Sequence, residues 1–208
     1  MKKIISVYSL KGGCGKTTLS ILIAQYLSSK GYKVALLDSD TQQNSTANWA
    51  KFSESQIPSY IITDSLKQAD IDGINANFII IDGTPRTDEN AKNILLLSDF
   101  VLIPVQPSQL GISSLLQPNH LNMLAEVEKN KPGIKIQAVI NGVTQHNTKD
   151  VLDTKKVLSD YGIQHHASLG LRKAFVIDYD KPFMACKNSR AINELGYLVD
   201  TLLEKIKD

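Results

Sequence analysis

Two lysines and three glycines stand close together near the start of the chain, in the run Lys11-Gly12-Gly13-Cys14-Gly15-Lys16-Thr17-Thr18. Glycines at this density let the backbone bend tightly and direct its N–H groups towards an anion. A lysine at the end of such a loop can reach the β- and γ-phosphates of a nucleotide, and the hydroxyl that follows it is a ligand for Mg²⁺. The run therefore predicts a nucleotide-phosphate cradle, with Lys16 on the phosphates and Thr17 on the metal ion.

Carboxylates for the metal ion are expected where apolar segments end. Asp82 follows the apolar run Phe78-Ile79-Ile80-Ile81, and Asp38 and Asp40 follow a second such segment, residues 33–37. In a parallel sheet, a nucleotide binds at the carboxyl ends of the strands. We expect Asp82 to hold Mg²⁺, through water, and Asp38 to contact the water shell of the ion. The alternative is a loop or helix-cap role for Asp82 and a turn role for Asp40.

The cradle lies between a predicted strand and a predicted helix, which distinguishes it from a glycine-rich turn with incidental lysines. Residues 3–8 are almost continuously apolar, and apolar residues recur at helical spacing from Lys16 towards Gly31. Further strands are expected at 33–37, 59–63, 78–81, 100–105, 134–140 and 165–169. Further helices are expected at 44–52, 65–75, 88–97, 111–129, 150–161 and 191–206, with Pro118 bending the long helix or marking its start. This alternation indicates an α/β fold: one domain over 1–208, with a mostly parallel twisted sheet and helices on both faces.

Composition excludes several classes of protein. At 208 residues, the chain is long enough for one domain with a substantial core. It is 42% hydrophobic and 21% charged with a net charge of +2, so nucleic-acid binding would need a local basic patch. Two cysteines provide neither a disulfide framework nor a metal cluster, which indicates a reducing, cytoplasmic setting. No apolar run approaches transmembrane length, and no signal-peptide pattern follows Lys2-Lys3.

The loop departs from the strict pattern G-x-x-x-x-G-K-[ST], because Leu10 stands at the first glycine position and Lys11 adds a second lysine. This variant resembles the deviant Walker A box of the ParA/MinD family of P-loop ATPases. The resemblance spans essentially the whole chain and is strongest to the small, ParF-like ParA partition ATPases. It implies a slow, Mg²⁺-dependent ATP hydrolase that forms a homodimer with ATP, in which Lys11 reaches the partner's nucleotide. Residues 104–108 resemble a proline-bearing loop of the family near the nucleotide and the dimer interface, and a plain strand terminator is the alternative.

The resemblance also implies roles for residues outside the loop. Residues 38–42 are similar to the family's Asp-x-Asp-Pro-Gln switch segment, whose second aspartate orients the attacking water; that role falls to Asp40. Asn141 ends a predicted strand where the family has an asparagine bound to adenine, although an Asn-Gly turn would also account for it. The chain departs from the family at Thr41 and at Thr84-Pro85, where proline is usual. The expected nucleotide-binding residues are thus Lys11, Gly12, Gly13, Cys14, Gly15, Lys16, Thr17, Thr18 and Asn141.

A basic segment is the expected DNA contact. Between Arg172 and Arg190 the chain has five basic and two acidic residues, a patch able to neutralise phosphates without reading sequence. The family's DNA binding of this kind depends on ATP, and Arg172 falls near a DNA-contacting arginine of larger ParA proteins. We expect contacts from Arg172, Lys173, Lys187 and Arg190; the alternative for each is a solvated face. Because the cradle begins at Lys11, we expect no N-terminal helix-turn-helix domain.

These features favour segregation of plasmid or chromosomal DNA by a cytoplasmic, nucleoid-associated ATPase with a ParB-like, centromere-binding partner. Positioning of a protein cargo remains an alternative, because it would use the same ATP-gated DNA binding. A MinD-type membrane ATPase would need a C-terminal amphipathic helix with a basic face, and residues 204–208 are too short and mixed in charge for one. We therefore expect no membrane binding. An iron–sulfur carrier would need paired cysteines, whereas Cys14 lies in the cradle and Cys186 stands alone.

Overall fold

The apolar segments of the chain form a single parallel sheet. A computed structural model describes residues 2–40, 45–53, 56–62, 65–175 and 183–207. The strands in these ranges are β1 (Lys3–Val7), β2 (Val34–Asp38), β3 (Ser59–Ile61), β4 (Phe78–Asp82), β5 (Phe100–Val105), β6 (Lys135–Val143) and β7 (Gln164–Gly170). Their spatial order is β3-β2-β4-β1-β5-β6-β7, and every neighbouring pair is parallel. Within the described residues the sheet is thus wholly parallel.

Helices cover both faces of this sheet. They are α1 (Lys16–Ser29), α2 (Ser45–Phe52), α3 (Gln68–Gly73), α4 (Glu89–Leu97), α5 (Gln109–Leu115), α6 (Pro118–Asn130), α7 (Lys149–Asp160) and α8 (Ser189–Lys207). In β4, Phe78 and Ile80 pack with α1, α2 and α8, whereas Ile79 and Ile81 pack with α3 and α4. All four side chains are buried, which explains the continuous apolar run in the sequence. The predicted α/β fold is confirmed.

Pro118 divides the long predicted helix. Instead of one helix over 111–129, the chain forms α5 and α6, and Pro118 is the first residue of α6. Proline at the first helical position costs no hydrogen bond, because the N–H at that position has no partner within the helix. The prediction of a single helix was therefore wrong, and the alternative that Pro118 marks a helix start is confirmed.

Two other elements differ from the prediction by three residues at one end. β6 continues to Val143 because it pairs with β7 as far as Gly170. The helix expected over 65–75 is confined to Gln68–Gly73, and the Asp70 carboxylate accepts a hydrogen bond from the Lys67 N–H at its start. The predicted element ends at residues 44 and 63 lie outside the described ranges.

Candidate nucleotide-binding site

The predicted cradle and the two aspartate-bearing strand ends meet at one edge of the sheet. β2, β4 and β1 are neighbours there, and Asp38 pairs in register with Asp82. A cavity of about 250 Å³ lies at these ends, where a parallel sheet offers a place to a ligand. The predicted residues that line it are Gly12, Gly13, Gly15, Lys16, Thr17, Thr18, Asp40 and Asp82.

The loop owes its shape to glycine conformations. Gly13 and Gly15 have φ angles of 71° and 99°, in the left-handed region that other residues rarely adopt. The backbone passes from Gly15 directly into α1, whose first N–H groups have no acceptor within the helix. The Lys16 ammonium folds back over the loop to the Lys11 carbonyl oxygen, at 3.1 Å. An anion in the cavity would therefore meet backbone dipoles, a helix N-terminus and a cation.

Thr17 and Asp82 form the wall of the cavity that suits a metal ion. Thr17 Oγ1 donates to Asp82 Oδ2 at 2.7 Å, and Ser20 Oγ lies 3.5 Å from Asp82 Oδ1. Burial raises the pKa of the Asp82 carboxyl to about 7; the Thr17 hydrogen bond opposes this shift and the charge of Asp38 adds to it. A buried carboxylate of this kind gains from a nearby cation, and hard oxygen ligands suit Mg²⁺. Thr17 and Asp82 thus fit the predicted metal.

The metal ion would also need ligands from outside the protein. Across the described ranges, no group of three or more His, Cys, Asp or Glu side chains is arranged to hold a metal ion. Mg²⁺ at nucleotide sites is commonly bound by one or two protein ligands, phosphate oxygens and water. The sparse donor set at Thr17 and Asp82 is in keeping with that mode of binding.

Asp38, the other predicted metal contact, is engaged by the backbone. Its buried carboxylate accepts hydrogen bonds from the N–H groups of Asp40 at 3.0 Å, Thr46 at 2.9 Å and Ala47 at 3.2 Å. These bonds cap the start of α2 and hold the backbone of Asp40, whose side chain lines the cavity. Asp38 therefore positions Asp40, and its contact with the water shell of a metal ion stays a prediction. Thr41 lies outside the described residues.

Lys11 has surroundings different from those of Lys16. Its ammonium donates to Gln106 Oε1 at 2.7 Å, and Gln106 Nε2 lies 3.4 Å from the Gly13 carbonyl oxygen. Gln106 directly follows β5, and the turn into α5 is capped by Ser108, whose Oγ accepts from a backbone N–H at 3.1 Å. Lys16 thus lines the cavity, whereas Lys11 is bound to the β5–α5 turn.

Asn141, the predicted adenine contact, lies beside the loop near the carboxyl end of β6. Its side-chain amide donates to the Cys14 carbonyl oxygen at 2.8 Å. Cys14 itself is buried and carries a free thiol. The structure therefore brings Asn141 to the cradle, and its contact with a base stays a prediction.

The predicted DNA-contacting residues fall into two groups. Lys173, Lys187 and Arg190 are exposed, whereas Arg172 is largely covered and pairs with Glu194. The Glu194 carboxylate accepts from Arg172 Nε at 2.9 Å and from a backbone N–H of β7 at 3.0 Å. Burial acts to raise the pKa of Glu194, but these hydrogen bonds outweigh it and lower the pKa to about 2. Outside the described residues lie the other charged members of the patch, Asp178, Asp180 and Lys181.

Three side chains that shape these sites were not predicted. Ser20 lies three residues after Thr17 on α1, so helical spacing was a signal that both face Asp82. Gln106 lies in the loop that the resemblance implicated, but its contact with Lys11 spans 95 residues of sequence. Glu194 is four residues after Arg190, a spacing typical of ion pairs on a helix, and their charged groups lie 3.5 Å apart.

The fold and the site together define a class of protein. A strand, a glycine-rich loop with Lys-Thr and a helix, beside a strand that ends in aspartate, form a P-loop nucleotide-binding domain. A family model described as the CobQ/CobB/MinD/ParA nucleotide binding domain matches residues 5–200. The chain therefore belongs to the CobQ/CobB/MinD/ParA nucleotide-binding domain family, and the resemblance to ParA/MinD proteins is confirmed.

Individual relatives agree with this assignment. The maintenance of carboxysome distribution protein A of Halothiobacillus neapolitanus is 33% identical in an alignment of 144 residues that covers 66% of this chain and 65% of that protein. A plasmid partition protein from Borrelia burgdorferi B31, solved bound to AMPPNP, has a TM-score of 0.69 at 23% identity, with 99% of this chain and 100% of that chain covered. The septum site-determining protein MinD of Pyrococcus horikoshii OT3, complexed with Mg-ADP, has a TM-score of 0.67 at 16% identity, with 100% and 99% covered. The two structures support the fold, and the chain spans just under two thirds of the length of the first relative.

None of the helices in the described residues combines the length and the apolar character needed to cross a bilayer.

Proposed function

We propose that this chain is a Mg²⁺-dependent ATPase that forms a homodimer when it binds ATP and then binds DNA without sequence preference. Through this cycle it segregates plasmid or chromosomal DNA in the cytoplasm, on the nucleoid, and a ParB-like, centromere-binding partner stimulates its slow hydrolysis. The observation that carries the proposal is the separation of the two lysines of the loop. Lys16 lines the cavity, whereas Lys11 is bound to Gln106 outside it.

The surroundings of Lys11 suit a residue that acts on another subunit. Lys11 is half-buried, and its ammonium is bound by a neutral amide rather than by a carboxylate. A hydrogen bond to an anionic phosphate is stronger than one to a neutral oxygen, so a γ-phosphate would draw the lysine away from Gln106. Lys16 already serves the phosphates of its own subunit. Lys11 is therefore available to the nucleotide of a partner subunit.

Phosphoryl transfer to water requires positioning and charge neutralisation rather than covalent chemistry by the protein. Lys16 and the N–H groups of the loop would bind the phosphates. Thr17 and Asp82 would hold Mg²⁺, which would supply charge neutralisation on the phosphate oxygens. Asp40, whose backbone is held by Asp38, orients the attacking water. Lys11 of the partner acts as an arginine finger does, a contribution on the order of 10³–10⁵ in rate where it has been measured for arginine.

DNA binding is assigned to the exposed basic residues near the start of α8. Lys173, Lys187 and Arg190 are exposed, and the Arg190 side chain remains 69% exposed although it lies 3.5 Å from Glu194. Phosphates could therefore reach all three, which would give salt-sensitive binding without sequence preference. Arg172 contributes differently, because its side chain is only 19% exposed and its guanidinium makes two hydrogen bonds to Glu194. Its role is to hold the end of β7 against α8, because Glu194 of α8 binds both Arg172 and the Gly170 N–H.

The test measures ATP turnover and retention of a mixed-sequence DNA duplex with ATP, with ADP and without nucleotide. Lys16→Ala should lose nucleotide binding and both activities. Lys11→Ala should keep its ATP affinity within several-fold of wild type and lose turnover, because it lacks only the trans contact. Lys33→Ala is the matched control, since Lys33 is exposed just before β2, at the opposite edge of the sheet. DNA retention that does not depend on nucleotide, or normal turnover in Lys11→Ala, would contradict the proposal.

Positioning of a protein cargo is the second candidate. It is favoured by the 33% identity to a protein named for carboxysome distribution. Both functions would use the same ATP-dependent cycle, so biochemical assays of this chain alone do not separate them. Deletion of the gene does: loss of a plasmid from dividing cells supports partition, and normal plasmid retention with a mislocalised protein assembly supports cargo positioning.

A MinD-type membrane function is disfavoured by the packing of α8. Leu195, Leu198 and Leu202 on this helix are fully buried in the core that it shares with α1. The apolar face that would enter a bilayer is thus already covered by protein. We expect no co-sedimentation with anionic lipid vesicles in the presence of ATP.

A further inference from the structure

Asn141 contacts the backbone of the phosphate-binding loop. Its Nδ2 donates to the Cys14 carbonyl oxygen at 2.8 Å, across 127 residues of sequence. The approach is so close that a Cβ on Gly15 would overlap the same nitrogen. The family resemblance implies a contact between Asn141 and adenine, and this hydrogen bond gives Asn141 a second neighbour, the cradle itself.

The geometry of the peptide unit links this contact to a phosphate donor. The described chain contains no cis peptide bonds, so the Cys14 C=O and the Gly15 N–H point in opposite directions across their shared plane. Because the carbonyl faces Asn141, the N–H faces away from it, and Gly15 lines the cavity. Rotation of this peptide plane would reverse the two groups and turn a carbonyl oxygen towards the phosphates.

Glycine allows such a rotation at little cost, so a hydrogen bond is needed to hold the peptide in one orientation. Gly15 has a φ angle of 99°, and glycine populates both signs of φ about equally readily. The hydrogen bond from Asn141 selects one of the two orientations of the Cys14–Gly15 peptide. Asn141 can serve as a fixed point because it belongs to β6, where it pairs with Leu169 of β7.

We propose that Asn141 is a positioning residue of the phosphate cradle, which holds the Cys14–Gly15 peptide with its N–H towards the phosphates of a bound nucleotide. This inference rests on the nucleotide binding proposed above. It goes beyond a contact with adenine, because it makes the binding of phosphates depend on Asn141 even when the ligand has no base.

A ligand without a base separates the two roles. Binding of ATP and of inorganic tripolyphosphate, each with Mg²⁺, is measured by calorimetric titration for wild type, Asn141→Ala and Asn119→Ala. Asn119 is an exposed asparagine of α6 whose side-chain amide donates a hydrogen bond to Thr87, and it provides the matched control. Loss of one positioning hydrogen bond should weaken both ligands by a similar factor, roughly three- to tenfold, in Asn141→Ala alone.

The outcomes distinguish this inference from the function on which it rests. Weaker binding of ATP with unchanged binding of tripolyphosphate in Asn141→Ala would overturn it, since only a contact with the base would be left. Wild type that binds ATP but not tripolyphosphate would also overturn it, because the cradle would not act on phosphates alone. Wild type that binds neither ligand would refute nucleotide binding itself, and the inference with it.

A second measurement does not depend on the folding of a variant. Cys14-Gly15 is the only Cys-Gly pair in the sequence, so protein labelled with ¹³C-carbonyl cysteine and ¹⁵N-glycine gives one amide signal in a carbonyl-filtered spectrum, that of Gly15. Addition of tripolyphosphate to wild type should shift this signal, because the N–H receives an anionic acceptor. A signal that stays in place at saturation would overturn the inference.

Discussion

Replacement of Gln106 by glutamate should slow ATP turnover by holding Lys11 in its own subunit. The Lys11 ammonium already donates to Gln106 Oε1 at 2.7 Å, and glutamate is nearly the same size, so the substitution adds a full negative charge at the same place. Coulomb's law with an effective dielectric constant of 20 gives roughly 6 kcal/mol at that separation, whereas exposed ion pairs are worth about 0.2–1 kcal/mol. Because Lys11 is half-buried, we take an added attraction of about 1–2 kcal/mol, which must be overcome before the lysine leaves.

A barrier higher by that amount lowers kcat by roughly 5- to 30-fold. Phosphate release at saturating ATP measures kcat, and a separate titration should find the ATP affinity within about twofold of wild type, since Gln106 does not line the cavity. Gln106→Leu removes the acceptor without adding charge, so it should turn over at least as fast as wild type. Equal slowing in the glutamate and leucine variants would refute the reasoning, because the shape of the turn rather than the charge would then be responsible.

Three further predictions test other parts of the structure. Glu194→Gln should lower the free energy of unfolding at pH 7, measured by urea denaturation, by about 1–2 kcal/mol. This is less than the full pKa shift implies, because solvent screens the pair with Arg172. Glu204→Gln, at an exposed position, is the control and should have no effect. His166 lies buried on β7, and this burial lowers its pKa from 6.5 to about 4. Between these pH values the unfolded chain therefore binds one more proton than the folded chain. The free energy of unfolding should therefore fall by up to about 3 kcal/mol as the pH drops from 6.5 to 4, and His166→Gln should remove most of this loss. Lys187→Ala should weaken DNA retention alike for all sequences and lower the salt slope by about 1, with ATP turnover unchanged; a sequence-dependent effect would contradict a phosphate contact.

The strands were predictable because their signal is local. Phe78 to Ile81 is apolar at every position, and such a run is buried on both faces wherever helices cover both sides of a sheet. The end of β6 has no such local signal in the sequence. Val143 belongs to the strand only because β7 pairs with it, and β7 is reached through a helix and two loops. Element ends set by tertiary pairing are therefore the part of the fold that a single sequence leaves open.

The same distinction separates the predicted from the unpredicted parts of the site. The cradle was predictable because its lysines, glycines and threonines lie within one run of eight residues that leads into α1. The hydrogen bond between Lys11 and Gln106 joins residues 95 positions apart, and neither residue type indicates the other. Likewise, the pairing of Arg172 with Glu194 was not evident from the sequence, and it leaves Arg172, which was expected to contact DNA, largely covered by protein.

Asp38 and Asp82 illustrate why a residue type at a strand end does not decide a role. Both end adjacent parallel strands and stand opposite each other in register, so the sequence assigned both to the metal ion. They differ in their hydrogen-bond donors, which are the Thr17 and Ser20 hydroxyls for Asp82 and backbone N–H groups for Asp38. A hydroxyl also has lone pairs, so Thr17 can bind a metal ion while it still donates to Asp82. A backbone N–H has no lone pair for a metal ion, and loss of its hydrogen bond to Asp38 would leave the start of α2 without its cap. We therefore expect Asp82 to be the aspartate that can take part in metal binding, while the backbone donors hold Asp38 to the segment that carries Asp40.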